Sequence, residues 1–376
     1  MKLIRLHEFL NLFEREPDTL SDFLRKATVR TSAGLVPLKE YMSRRNIDKE
    51  KIKTLFENIK NRNEYLTRFY NLSLRVDPEF LTIQTPPMKN KQMNNNESIN
   101  YKVLIRNMHY KGILQDTKSG IEGVPTYIDV LKDLYVHSII DYKLLTPSAS
   151  DYIEKGRIGS VFSSFYFRAS IMNPYLVYSL NHSTLKGTKI FTPTLGWTSY
   201  CFGFLQCPYV TEYVGTDVIK DVCTKTQEYA NLYKDKKTTI FCEPSENLAK
   251  SSQFRKKYRE HFDVVFFSPP YYRLELYKGA EQSTNKYTSY EQWLDGYWEK
   301  TIELCHHVLE NGGRLCYILS GYGSDNTKEQ YDLLGDMNRI TKKYFKLQSS
   351  QPMYNKDVHS TNHKETAEKI MVFQKN

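Results

Sequence analysis

The chain of 376 residues is longer than one typical domain, and 40% hydrophobic with 14% aromatic residues allow a sizeable core. This composition excludes a wholly disordered chain. The net charge of +10 favours a polyanionic partner such as a nucleic acid.

The sequence shows no sign of a membrane or secretory protein. No apolar run approaches the roughly 18 residues that a membrane-spanning helix needs. The first residues interleave charges too closely for a signal-peptide core. We therefore expect a soluble, intracellular protein without a membrane partner.

Neither a disulfide framework nor a metal site is indicated. The 6 cysteines include no Cys-x-x-Cys pair. His359 and His363 are four residues apart, and Cys305 precedes His306 and His307, but neither group has the further cysteine or carboxylate ligands that a metal site needs.

The N-terminal part is predicted to be mostly helical over residues 1–83. Between positions 48 and 70 an apolar stripe recurs at helical spacing, with lysines and arginines on the other faces. Those faces indicate either a solvated amphipathic helix or a surface that contacts phosphates. Residues 85–98 are rich in Pro, Asn, Lys and Gln, and predict a mobile loop or linker. We place the N-terminal region at 1–155 and a second domain at 156–376.

From about residue 155 short apolar strands alternate with helices. Helices are predicted over 173–185, 218–233, 246–258 and 289–310, the last stopped by Asn311-Gly312-Gly313. Strands are predicted at 189–191, 212–215, 238–242, 263–267 and 314–319, with two more at 345–351 and 368–374. This alternation predicts a doubly wound α/β sheet, in which ligands bind at the carboxyl ends of the strands.

Three of these strand ends carry residues suited to a nucleotide-like ligand. The first strand leads into a glycine-containing loop, 192–198, and the second and third end at Asp217 and Glu243. A carboxylate about 20 residues after such a turn can hold a ribose diol, and a second one can accept a hydrogen bond from an adenine amine. Each also has a plain alternative, because Gly196 fits a simple turn and both acids fit helix N-caps.

The fourth strand ends in Ser268-Pro269-Pro270-Tyr271, which suits transfer to an amino group conjugated with a ring or carbonyl. The nitrogen lone pair of such a group is delocalised. Two acceptors, the Ser268 side chain and the Pro269 carbonyl, can hold both N–H bonds and direct the lone pair at a donor. The prolines stiffen the turn, and the Tyr271 ring can stack on a base taken out of its helix.

With this tetrad, residues from about 160 to the C-terminus resemble the amino-type (N4-cytosine or N6-adenine) DNA methyltransferases. The resemblance implies a Rossmann-like class I methyltransferase sheet, α/β, with an antiparallel C-terminal edge hairpin and a largely helical region before it. It also implies S-adenosylmethionine as the donor. The cofactor contacts that it implies are Asn173, Thr192, Pro193, Thr194, Gly196, Trp197, Thr198, Asp217 and Glu243.

The stretch 268–298 more narrowly resembles methylases of phages and large DNA viruses, in which Glu-x-Tyr follows the tetrad. The matching residues are Glu275 and Tyr277, and the resemblance places the chain in the cytoplasm or at a site of viral or phage DNA replication. We expect the substrate to contact Tyr272, Arg273, Glu275, Tyr277 and Lys286.

Two positions depart from the family pattern, because its first loop usually begins with Asp and carries a second glycine where this chain has Thr192 and Thr198.

These features predict methyl transfer to an exocyclic amine of a DNA base, with N4 of cytosine slightly favoured over N6 of adenine. RNA or single strands are further candidate partners, and by elimination residues 1–155 recognise the target. One alternative, which Thr192 and Thr198 favour, is a non-catalytic nucleic-acid-binding protein that has lost its donor site. Another is methylation of RNA or of a protein glutamine.

Overall fold

The computed structural model describes residues 1–15, 18–121, 123–320, 331–354 and 368–376. The chain forms two compact units that interleave along the sequence. One, here called the sheet unit, contains Met1, 77–105 and 170–376, and the other, the helical unit, contains 2–76 and 106–169. The predicted boundary at 155 therefore differs from the observed one, which lies between residues 169 and 170. Residues 77–105, which were placed in the N-terminal region, belong to the sheet unit.

The sheet unit is built on seven strands, which are β1 Lys189–Thr192, β2 Glu212–Thr216, β3 Lys237–Phe241, β4 Phe262–Phe267, β5 Leu309–Leu319, β6 Lys346–Pro352 and β7 Lys369–Gln374. Their order in the sheet is β6-β7-β5-β4-β1-β2-β3. Strands β1 to β5 are parallel, whereas β7 runs antiparallel to both β5 and β6.

The strand order confirms the predicted Rossmann-like sheet with its antiparallel C-terminal hairpin. The central strands are mostly apolar because helices cover both faces of a parallel sheet, and every residue of β2 is buried. The helices of this unit are Pro174–Leu180, Ser199–Leu205, Lys220–Ala230, Ser245–Leu248, Ser252–Lys257, Ser283–Lys286, Tyr290–Trp293, Lys300–Val308 and Leu333–Thr341. π-helical turns at Asn181–Leu185 and Leu294–Glu299 and short 3₁₀ turns at Pro78–Leu81 and Asn90–Gln92 complete it.

Two predicted elements differ in detail from the structure. The helix expected over 246–258 is broken into two short helices. The expected helix stop at Asn311-Gly312-Gly313 lies inside β5 instead, where the register with β4 shifts between Leu309 and Arg314. Gly312 has a φ of 79°, so the glycines serve a strand bulge rather than a helix cap.

The helical unit confirms that the N-terminal region is largely helical. Its helices are Leu6–Asn11, Leu20–Lys26, Leu38–Arg45, Lys49–Lys60, Arg62–Ser73, Tyr127–Lys132, Pro147–Glu154 and Ile158–Phe165, and the helix Asn100–Met108 spans the division between the units. The single helix expected over 48–70 is interrupted at Asn61. Three short strands, Gly34–Pro37, Thr28–Thr31 and Ile139–Asp141, form a small sheet that sequence reasoning missed. Aromatic rings in contact fill the core of the helical unit, and Phe9 stacks on Phe69 with 5.8 Å between the ring centroids.

Residues 85–98 are packed rather than held as a free linker, contrary to the prediction. Met88 and Met93 are buried, and the backbone N–H of Met88 donates to Ser179 Oγ at 3.0 Å. The Asn95 side chain accepts from the Asn173 backbone N–H at 2.7 Å. The polar composition of the segment concealed these long-range contacts, which anchor it to the sheet unit.

Candidate active site

A cleft opens at the carboxyl ends of the parallel strands of the sheet unit, where the fold predicts a ligand site. It brings together the loop after β1, the acidic ends of β2 and β3, and the tetrad after β4. The predicted site residues that line it are Pro193, Thr194, Gly196, Trp197, Asp217, Glu243, Ser268, Pro269, Pro270, Tyr271, Glu275 and Tyr277.

The loop after β1 turns tightly into the helix Ser199–Leu205. Gly196, Trp197 and Thr198 all have left-handed φ values of 51°, 57° and 73°. A Cβ on Gly196 would lie 2.3 Å from the Tyr200 ring, so only glycine fits this position. The missing Cβ therefore lets the Tyr200 ring pack directly against the backbone of the loop.

The departures from the family pattern do not enter the cleft. Thr198 occupies the position where a glycine was expected, and it adopts the left-handed conformation that glycine favours. Its hydroxyl pairs with Thr226 Oγ1 at 2.7 Å, and the Thr192 hydroxyl pairs with Tyr213 at 2.7 Å. Both side chains are fully buried. The structure thus gives both threonines a role in stabilising the loop.

Asp217 links the loops that follow β1 and β2. One carboxylate oxygen accepts from the Leu195 backbone N–H at 3.1 Å, and the other accepts from the Ile219 N–H at 3.1 Å. Burial raises the pKa of Asp217, although hydrogen bonds from the backbone act in the opposite direction. Because a carboxylate oxygen has more than one lone pair, both oxygens can still accept from a ligand.

The tetrad presents Ser268 as a hydrogen-bond acceptor. Its hydroxyl donates to the Ile318 carbonyl at 3.1 Å. The only proton of the hydroxyl is thereby engaged, and its lone pairs are left for a donor group in the cleft. An amino substrate, which donates hydrogen bonds, requires such an acceptor.

Tyr271 is fixed at its outer end. Its hydroxyl accepts from the Ser320 backbone N–H at 2.8 Å, just beyond the end of β5. Burial raises the pKa of this hydroxyl, so it stays protonated at neutral pH. The ring lines the cleft in one orientation, as a stacking surface needs.

Tyr200 joins the first loop to the tetrad, and sequence reasoning missed it. Its hydroxyl accepts from the Ser268 N–H at 3.0 Å and donates to the Ser268 carbonyl at 3.3 Å, while its ring lies against Gly196. The side chain is 2% exposed. Tyr200 therefore sets the distance between the loop and the tetrad, although its position in an apolar helix gave no signal.

The segment after the tetrad divides into residues inside and outside the cleft. Glu275 lines the cleft and accepts from the Ser170 N–H at 2.8 Å and from the Tyr277 hydroxyl. Tyr277 lies beside Trp197, with 6.1 Å between ring centroids. Both oxygens of Glu275 therefore have protein partners, and its role here is to hold Tyr277.

Four further predicted residues lie outside the cleft lining. Tyr272 is buried against the rings of Tyr290 and Trp293, and the Arg273 guanidinium lies 5.4 Å from the Tyr272 ring centroid. Lys286 pairs with Glu246, 3.2 Å away. Asn173 caps the helix Pro174–Leu180 by accepting from the Tyr175 N–H at 3.1 Å. Through Glu246, Lys286 still contacts the cleft lining.

The lining of the cleft is acidic. Among the described residues, no lysine or arginine lines it, and its six carboxyl groups are Asp217, Glu243, Glu246, Glu275, Glu281 and Glu368. Glu246, Glu281 and Glu368 were not predicted. Glu368 precedes β7, far along the chain from the motifs, and only the antiparallel return of the last strand brings it here.

Two general features concern metal ions and membranes. In the part of the chain that the structure describes, no group of three or more His, Cys, Asp or Glu side chains is placed to hold a metal ion. His359 and His363 lie outside the described residues. No helix in the described ranges has the length and apolar character to cross a bilayer.

No protein-family model and no curated protein sequence matches the chain. Among the solved structures to which the chain shows similarity are methyltransferases. The N-methyltransferase NodS from Bradyrhizobium japonicum WM9 in complex with S-adenosyl-L-homocysteine is 13% identical, with a TM-score of 0.34 over 53% of this chain and 83% of that one. The putative methylase HI0767 from Haemophilus influenzae is 14% identical, with a TM-score of 0.31 over 51% and 89%. TrmN from Thermus thermophilus is 11% identical, with a TM-score of 0.36 over 61% and 69%. The fold class itself rests on the strand order and directions.

Proposed function

We propose that the chain transfers a methyl group from S-adenosylmethionine to the exocyclic amino group of a DNA base. The observation that carries the proposal is the Ser268 hydroxyl, whose proton is engaged by Ile318 so that it faces the cleft as an acceptor. Because the tetrad lies at the end of β4, next to the loop after β1, an amine held there would lie beside a donor held by that loop.

The cleft suits the donor in charge and shape. S-adenosylmethionine supplies an electrophilic methyl group on a sulfonium cation, and a lining with carboxyl groups and no described cation favours a positive ligand. The loop after β1 lines the cleft at Thr194, Gly196 and Trp197, where it can contact the ligand. Asp217 would hold the ribose hydroxyls, and Glu243 would lie near the adenine.

The tetrad suits the acceptor. The Ser268 hydroxyl and the Pro269 carbonyl would accept the two N–H bonds of the amine, which turns the nitrogen lone pair towards the donor. Tyr271 would stack on the ring. Such preorganised acceptors reduce the rearrangement that the transition state needs. Between the two bases, we favour N4 of cytosine slightly over N6 of adenine.

The helical unit offers a surface for the phosphate backbone. The helix Lys49–Lys60 buries Ile52, Leu55 and Phe56 and exposes Lys49, Lys51, Lys53 and Lys60. Exposed lysines on a helix suit a sequence-independent contact with phosphates. Replacing the four lysines by glutamine should weaken DNA binding and leave donor binding unchanged; equal DNA affinity would exclude this surface.

The competing function is binding of nucleic acid without catalysis. In the sequence it is favoured by Thr192 and Thr198, but both side chains lie outside the cleft lining and are hydrogen-bonded within the protein. The donor loop therefore keeps its close turn despite the substitutions, which favours the catalytic function.

Calorimetric titration with S-adenosylmethionine, followed by labelled methyl transfer to DNA, RNA and protein, tests the proposal. We expect donor binding and label in DNA that Ser268→Ala strongly reduces. DNA binding without donor binding would establish the competing function. Label in RNA or in glutamine side chains, but not in DNA, would show that the methyl acceptor is not DNA, while S-adenosylmethionine would remain the donor.

A further inference from the structure

Glu368 lies on the acceptor side of the cleft. Lys369, the first residue of β7, pairs with Leu319, the last residue of β5, so Glu368 lies near Ser320. The Ser320 N–H holds the Tyr271 hydroxyl at 2.8 Å. The Glu368 carbonyl accepts from the Met353 N–H at 2.7 Å, which fixes the backbone from which the side chain enters the cleft lining.

The Glu368 carboxyl group has no hydrogen-bond donor among the residues that the structure describes. This distinguishes it from Glu275, whose two oxygens accept from Ser170 and Tyr277, and from Glu246, which pairs with Lys286. Glu368 is half-buried, and a ligand in the cleft can supply the hydrogen bonds that its carboxyl group does not receive from the described residues.

The surroundings of Glu368 favour its neutral form. Burial raises its pKa, and the nearby Glu275 carboxylate raises it further, while Lys102 acts in the opposite direction. A neutral carboxyl group carries an O–H donor as well as acceptor oxygens. It can therefore donate a hydrogen bond to a ligand atom that is only a hydrogen-bond acceptor.

We propose that the Glu368 carboxyl group binds the edge of the acceptor base, donating a hydrogen bond to the ring nitrogen beside the amine. That nitrogen is N3 in cytosine and N1 in adenine, and in both bases it is an acceptor. Glu368 thus complements Ser268 and Pro269, which accept from the amine itself. The inference rests on the proposed function. It adds a residue that selects bases in which an amino group lies beside a ring nitrogen that accepts a hydrogen bond.

The experiment combines variants of Glu368 with oligonucleotides in which carbon replaces that ring nitrogen in the target base. Glu368→Gln keeps an uncharged donor of similar shape, whereas Glu368→Ala removes it. Glu310→Ala, at an exposed carboxylate near the start of β5, is the control. Calorimetry with S-adenosylmethionine shows in each case that the donor site has folded.

On the natural base, we expect kcat/KM to fall about tenfold or more in Glu368→Ala and to stay within about threefold of the wild type in Glu368→Gln. With the carbon-substituted base, kcat/KM of the wild type should fall by a similar factor. The kcat/KM of Glu368→Ala should fall little further, because the two changes remove the same hydrogen bond. Fully additive losses, or normal turnover by Glu368→Ala, would overturn the role of Glu368 while leaving the proposed function intact. A wild type that binds donor but methylates no base would refute both.

Discussion

Replacement of Asp217 by alanine should abolish most of the affinity for S-adenosylmethionine. The carboxylate now joins two loops through the backbone N–H groups of Leu195 and Ile219, each at 3.1 Å. In the proposed complex it also accepts from the ribose hydroxyls. The substitution removes both the ligand contact and the link that orders the loop after β1.

A hydrogen bond to a charged group contributes about 1.5–3 kcal/mol. Since about 1.4 kcal/mol corresponds to a factor of ten in affinity, the loss of one such bond predicts a dissociation constant roughly 10- to 150-fold higher. The unpaired Leu195 N–H adds to this loss. Isothermal titration calorimetry measures the change directly, and circular dichroism confirms that the variant is folded.

Asp221→Ala provides a matched control. Asp221 lies four residues further on, in the helix Lys220–Ala230, and its 63% exposed side chain pairs with Lys225 at 2.8 Å. Such a surface pair contributes little to stability, so donor affinity should not change. A folded Asp217→Ala protein that binds the donor within about twofold of the wild type would refute the assignment of the cleft.

Four further outcomes are expected. Ser268→Ala should lower kcat roughly 10- to 100-fold with unchanged donor affinity, because one acceptor for the amine is lost; full turnover would exclude Ser268 from the mechanism. Tyr271→Ala should raise the KM for DNA roughly 5- to 150-fold through lost stacking, whereas Tyr271→Phe should change it little; equal effects would exclude stacking. Because burial raises the pKa of Asp217 above 3.8, donor affinity should be complete above that raised pKa and decline as the pH falls through it, and Asp217→Asn should lack this decline in titrations from neutral to mildly acidic pH. Gly203→Ala should lower the free energy of unfolding by about 1–3 kcal/mol in chemical denaturation, because its Cβ would lie 2.6 Å from the Pro174 carbonyl; unchanged stability would contradict the close helix packing.

The sheet was predictable from the sequence because its signals are local. Parallel strands buried on both faces appear as short apolar runs, and their carboxyl ends meet at one edge. The amino-acid order alone is therefore enough to group Asp217, Glu243 and the tetrad at that edge. The exact helix breaks, such as that at Asn61, could not be predicted, since an apolar stripe continues through them.

The residues that sequence reasoning missed act through long-range contacts. Tyr200 has the pattern of a core aromatic, and only the tertiary structure brings its hydroxyl to Ser268. Glu368 enters the cleft because β7 returns antiparallel to β5. The segment 85–98 has the composition of a linker, yet Asn95 lines the cleft. No periodicity or spacing in the sequence predicts that these residues lie at the cleft.

The most direct test of the central claim is mass spectrometry of nucleosides from DNA incubated with the purified chain and S-adenosylmethionine carrying a deuterated methyl group. We predict heavy N4-methylcytosine or N6-methyladenine in the wild-type reaction and a strong reduction with Ser268→Ala, at equal donor binding. DNA without heavy methyl groups, from a protein that binds both donor and DNA, would contradict the claim.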